Sequence, residues 1–262
     1  MILNTSLRAA VISENDLPML PVPGANAVFR VPISRDRVGC QNLIQRVFRY
    51  NKGASPEMKN EDSEDVIWVV SGGGQAVVGG QTYALTPSTG LLIPPNTSYQ
   101  LRNPGPGTLE VVSVLSPQPG YGASVSPSPQ AQLVGTRSVT VHESEQKPLP
   151  AGDDRYFKLM IDPRYGCKYL TQFVGFIEKS RAPYHTHTYE EVIYILGGRG
   201  IVHIEDGDFP IRAGSSIYLS PGTSHCLENA GAETLRLLGV FCPAGSPADK
   251  KTMNIPDLED KE

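Results

Sequence analysis

The chain has 262 residues, enough for one large domain or two small ones. Its 23 basic and 27 acidic residues give a net charge of −4 with no basic stripe, which argues against a nucleic-acid partner. No apolar run reaches about 18 residues, so no membrane span is expected.

In chain order, the opening MILNTSLRAAVISENDLP lacks a basic segment followed by an apolar one and does not read as a signal peptide. Cys40, Cys167, Cys226 and Cys242 are scattered and form no CxxC pair. A reduced, cytoplasmic setting is therefore expected, with each cysteine serving as a small buried hydrophobe. Residues 66–70 form an apolar, β-branched run ending in Gly72-Gly73-Gly74, the signature of a short strand. Residues 116–129 are rich in Pro, Gly and Ser and carry no charge, as a linker does. His142, beside Glu143, is expected at the surface. A strand carrying Gln172 and Glu178 leads into His185-Thr186-His187-Thr188-Tyr189-Glu190-Glu191. Strands are then expected at 192–196, 200–205, 209–212 and 216–220, the last closed by Pro221-Gly222 before His225. The sequence from Ala248 onward is charged and poor in large apolar residues, so it is expected to be exposed.

The chain repeats itself. Asp65-Val66-Ile67-Trp68-Val69-Val70 matches Glu191-Val192-Ile193-Tyr194-Ile195-Leu196 at an offset of 126 (191 − 65). Residues 94–105 match 220–231 at the same offset (220 − 94), with six of twelve positions identical. A constant offset across both blocks indicates two copies of one fold. Short strands at roughly 8–12-residue spacing with turn signals predict an all-β sandwich or barrel of the jelly-roll kind. The expected division is a first barrel over 1–130, a second over 131–248 and a tail over 249–262.

In a strand, alternate side chains share a face. His185 and His187 therefore point together. Glu191, four residues beyond His187, shares their face, and Glu190 points the other way. His225, after the Pro-Gly turn, can return on a neighbouring strand. Three imidazoles and a carboxylate suit one first-row divalent metal per chain, from among Fe, Mn, Ni, Cu and Zn. His203 lies on the strand 200–205, where the preceding glycines prevent parity from placing it. Gln172 and Glu178 share a face and are candidates to support the ligands.

This arrangement resembles the two-part cupin motif. Its first part corresponds to His185, His187, Glu191 and Gly198. Its second corresponds to Gly214, Gly222, His225 and Asn229, with Ser220 where the motif prefers Pro. The resemblance implies two tandem double-stranded β-helix barrels, a bicupin, with the metal inside the second. The first repeat departs from the motif: Lys59, Glu61, Asp65 and Tyr99 occupy the four ligand positions. A lysine repels a metal ion, so this barrel is expected to bind none. A pair between Lys59 and Glu61 or Asp65 is expected in its place.

The implied function is a metal-dependent enzyme acting on a small oxygen-rich or carboxylated metabolite. Dioxygenase chemistry (an oxidoreductase), decarboxylation and isomerisation are all compatible with the scaffold. One alternative is a hydrolase similar to the bicupin ureidoglycine aminohydrolases, although that family uses a different ligand set. Another is a non-enzymatic small-molecule-binding bicupin. A homodimer formed through exposed strand edges is expected.

Overall fold

The computed structural model describes residues 7–134, 139–152, 154–248 and, for the backbone alone, 251–252; most of the expected tail lies outside this set. Its strands form four antiparallel sheets, two of seven strands and two of five. The five-stranded sheet holding Gly74–Val78 and Ser98–Asn103 covers one face of the seven-stranded sheet holding Glu64–Ser71 and Leu109–Ser116. Ile67, Val69, Ala76, Val78 and Leu101 fill the space between them. The second half repeats the arrangement, with Val202, Ile211, Leu227, Ile193 and Phe241 inside. The two larger sheets pack against each other through a third core that includes Val66, Trp68, Val114, Val192, Tyr194 and Val240. Each larger sheet is thus buried on both faces. This is why its strands read as nearly continuous apolar runs, while strands of the smaller sheets alternate.

The all-β double-barrel expectation holds. The repeated residues have matching duties. Asn103 Nδ2 donates to the carbonyls of Tyr50 and Gly107 at 2.8 and 2.7 Å. Asn229 Nδ2 donates to those of Ile177 and Glu233 at 3.0 and 2.8 Å. Gly72 and Gly198 have φ of 76° and 81°, and a Cβ at either would collide with the carbonyl of Thr108 or Thr234.

The halves also exchange strands. Ala9–Ser13 pairs with Ser215–Leu219 of the second barrel. Val139–His142 pairs with Thr89–Ile93 of the first. A pair of buried glutamates, again 126 apart (190 − 64), completes the junction. Glu64 accepts from the backbone N–H groups of Lys168, Tyr169 and Leu170 at 2.6, 2.6 and 3.0 Å. Glu190 accepts from those of Gln41 and Asn42 at 2.5 and 2.8 Å, and from Tyr218 Oη at 3.0 Å. Each half thus places a carboxylate on backbone donors of the other. Where the chain leaves the second barrel, Lys251–Thr252 pairs with His185–Thr186.

Candidate metal centre

The two-residue strand His185–Thr186 carries the first histidine and lies beside His225, its register partner. His187 follows two residues later, and Glu191 is the second residue of the long strand Glu190–Gly197, on its inward row. One ring nitrogen from each of His185, His187 and His225 lies within 4.8 Å of the others. Glu191 Oε2 stands 3.5 Å from His187 Nε2 and 3.8 Å from His225 Nε2. All four sequence-derived residues therefore come together, and Glu190 turns away to the inter-barrel junction.

Backbone carbonyls orient two of the rings. His185 Nδ1 lies 2.9 Å from the carbonyl of Pro183, and His225 Nδ1 lies 3.0 Å from that of Thr223. A carbonyl can only accept, so Nδ1 carries the proton and Nε2 presents its lone pair. His187 stacks on Tyr189, with ring centroids 4.7 Å apart, and Phe241 backs both rings. The loop before His225 is held at two points. Gly222 N donates to the carbonyl of His187 at 2.8 Å. Ser220 N and Thr223 Oγ1 donate to the carbonyl of Arg8, at 2.8 and 2.9 Å.

The electrostatics suit a cation. Glu191 is 4% exposed, and among the described residues its Oε2 accepts no hydrogen bond. Burial pushes its carboxyl up to about 8. Burial, and then the neighbouring His185, push His225 down to about 3. Each group alone thus resists carrying charge, whereas a divalent ion stabilises a carboxylate among neutral imidazoles. Ligand atoms about 2.0–2.1 Å from a metal stand at most ~4.2 Å apart, so the three histidine nitrogens, within 4.8 Å of one another, need to close by only tenths of an ångström.

The first barrel solves the same position differently. Asp65 is fully buried and accepts from Arg46 Nη2 at 3.2 Å and Ser113 Oγ at 2.9 Å. Arg46 and Ser113 face each other across two strands. In the second barrel, Phe173 and Gly239 form the corresponding cross-strand pair, and a Cβ at Gly239 would collide with the Phe173 ring. Replacing Arg46/Ser113 by Phe173/Gly239 removes the donors that neutralise the carboxylate, which leaves that duty open around Glu191. The pair expected at Lys59 forms, with Glu61 and not with Asp65. Lys59 pairs with Glu61 at 3.4 Å, but its side chain is 42% exposed at the barrel rim, and Arg46 takes Asp65. Tyr99 is buried in that interior.

Other candidates lie elsewhere. His203 sits on the outer face between Asp208 and Glu228, at 2.6 and 3.0 Å, because Val202 and Ile204 take the inward positions. His142 is near the surface, beside Ser144 and the Pro87 carbonyl. Gln172 faces the first barrel against Gly90, and Glu178 accepts from Thr234, so neither supports a ligand. Sequence reasoning did not single out Phe173, Phe241 or Thr223. The inward row of Phe173 was available as a signal, but Thr223 depends on a partner more than two hundred residues away.

A cavity of about 100 Å³ opens onto the four residues. Phe157, Phe173, Ile193, Leu227, Leu237 and Phe241 are among the residues of its wall, and Arg155 lines it as well.

The sequence pattern of the cupin domain matches residues 46–115 and 173–241. The chain belongs to the cupin family. This bicupin is 42% identical over 58 residues to an oxalate-binding protein of Thermotoga maritima, 22% of this chain and 48% of that one. It spans about half the length of the curated relatives it matches. A glyoxylate-induced protein of Pseudomonas aeruginosa, so described provisionally, superposes with a TM-score of 0.76 at 18% identity, covering 97% of this chain and 94% of that one. Oxalate decarboxylase of Bacillus subtilis, a structure described for its Mn(II) centres, gives 0.73 at 14% identity, covering 93% and 79%. At these identities the structural likeness speaks for the bicupin fold alone.

Proposed function

We propose that this bicupin is a metal-dependent enzyme for a small carboxylated metabolite, with decarboxylation the leading reaction. One divalent transition metal would be held by His185, His187, Glu191 and His225. The observation that carries the reading is the convergence of three imidazoles and a buried, hydrogen-bond-deficient carboxylate on the floor of a small cavity. A metal bound there supplies Lewis acidity and open coordination positions for a substrate oxygen. The protein fixes the imidazole tautomers through the carbonyls of Pro183 and Thr223 and keeps water scarce with an aromatic and aliphatic wall. Similarity to an oxalate-binding protein supports a small acid as the ligand. That similarity also favours a second reading, a non-catalytic binder of the same acid.

Elemental mass spectrometry on untagged protein tests the metal. About one metal per chain is expected in the wild type and in Tyr99→Ala, with most of it lost in His225→Ala. Equal loss in both variants contradicts a single site in the second barrel. Iron or copper would direct activity screens toward oxygen consumption. Manganese, nickel or zinc would direct them toward carbon dioxide release or isomerisation.

A further inference from the structure

Arg155 opens the strand Arg155–Leu159, which lies against Thr171–Ile177 in the second barrel. Alternation places its side chain on the same row as Phe157 and Leu159, both of which pack into the barrel interior. Among the described residues it is the one cationic residue lining the cavity that holds the histidine cluster, the imidazoles aside. Among the described residues it makes no ion pair, and its Nε is buried without a hydrogen-bond partner. Two described carboxylates on neighbouring segments have hydrogen-bond partners of their own. Asp154 accepts from Lys179 N at 2.7 Å and from Ser180 Oγ, and Glu178 accepts from Thr234 Oγ1 at 2.7 Å.

An inward-facing guanidinium with a dry, unused N–H is costly unless an anion completes it. We propose that Arg155 is the specificity-determining residue of the cavity and that it binds a carboxylate of the substrate. The ligand class is a short acid with two oxygen-bearing ends, one carboxylate for Arg155 and a second oxygen group for the histidine–glutamate end. The cavity volume of about 100 Å³ sets the length. With water occupying ~30 Å³, that space corresponds to about three waters, so the ligand is a short acid, and oxalate and malonate are the smallest dicarboxylate probes of it. The apolar wall between the two ends tolerates a methylene bridge and disfavours further charge.

The assignment rests on the proposed function for its second contact but not for its first. Calorimetric titration of the intact chain, with Mn(II) supplied and again after chelation, separates the two. The probes are oxalate, malonate and the neutral malonamide. Wild-type protein is expected to bind at least one acid and to bind malonamide about tenfold more weakly or worse. Arg155→Gln is expected to weaken acid binding by about tenfold or more while leaving metal content and the unfolding midpoint unchanged, and Arg155→Lys to recover part of the loss. If no metal is retained but acid binding still depends on Arg155, the metal reading fails and the Arg155 assignment stands. If none of the acids binds, or if Arg155→Gln binds them as tightly as wild type, the assignment is wrong.

Discussion

Glu190 and Glu191 are sequence neighbours with opposite duties: one holds the halves together and the other faces the histidine cluster. Their separation was legible in the sequence because a strand has a period of two, and the same rule brought His185 and His187 together. It did not reveal Arg46 as the partner of Asp65. That pairing is set by the strand opposite, and Lys59, which occupies a ligand position in the repeat, is held at the rim. The cysteines behave as buried hydrophobes, as expected. Burial pushes the thiols of Cys40 and Cys242 up to about 12, from 9.0. Below pH 9 these thiols are protonated in both folded and unfolded chains and do not affect stability. From 9 to about 12 only the unfolded chain ionises, so their contribution to stability falls as pH rises. Ellman's reagent at pH 8 should therefore leave Cys40 and Cys242 unreacted in the native protein and titrate all four cysteines in guanidinium. Rapid native labelling at either position would contradict this packing.

At the scale of elements, the loop carrying His225 depends on a strand from the far end of the chain. Ala9–Ser13 lines the edge of Ser215–Leu219, and the carbonyl of Arg8 just before it takes both Ser220 N and Thr223 Oγ1. Thr223 in turn offers its carbonyl to His225 Nδ1. Groups that orient metal ligands in this way typically matter by ~10–100-fold in affinity. Thr223→Val should therefore weaken metal binding about tenfold, measured by competition with a chelating dye, with little change in the unfolding midpoint. Thr223→Ser should restore binding. Unchanged affinity in the valine variant would show that the turn holds His225 without the Arg8 contact. Strand positions and turns in the repeats were readable from local period and from Gly-Pro punctuation. The exchange of strands was not, because an edge strand carries no local mark of which sheet it joins.

At the scale of the molecule, the third core lies between the two large sheets, and the Glu64 and Glu190 clasps seal it. Separating the halves would expose that apolar face and leave one sheet edge in each half unpaired. Residues 1–130 and 131–262, expressed apart, should aggregate. Co-expressed, they should recover one soluble complex by gel filtration. A monomeric, cooperatively folded 1–130 fragment would refute this interdependence. Near this junction, Ser116 Oγ and Cys242 Sγ, equivalent positions of the two repeats (242 − 116 = 126), lie 3.3 Å apart. Equivalent atoms meet only where an axis of internal symmetry passes. The chain is therefore arranged as a twofold dimer whose subunits have been joined end to end. In a dimer of identical chains, every substitution appears twice, so losing a ligand in one subunit loses it in both. Joined in one polypeptide, the copies mutate independently, and one can exchange its imidazoles for Lys59, Glu61 and Tyr99 while the other keeps all three.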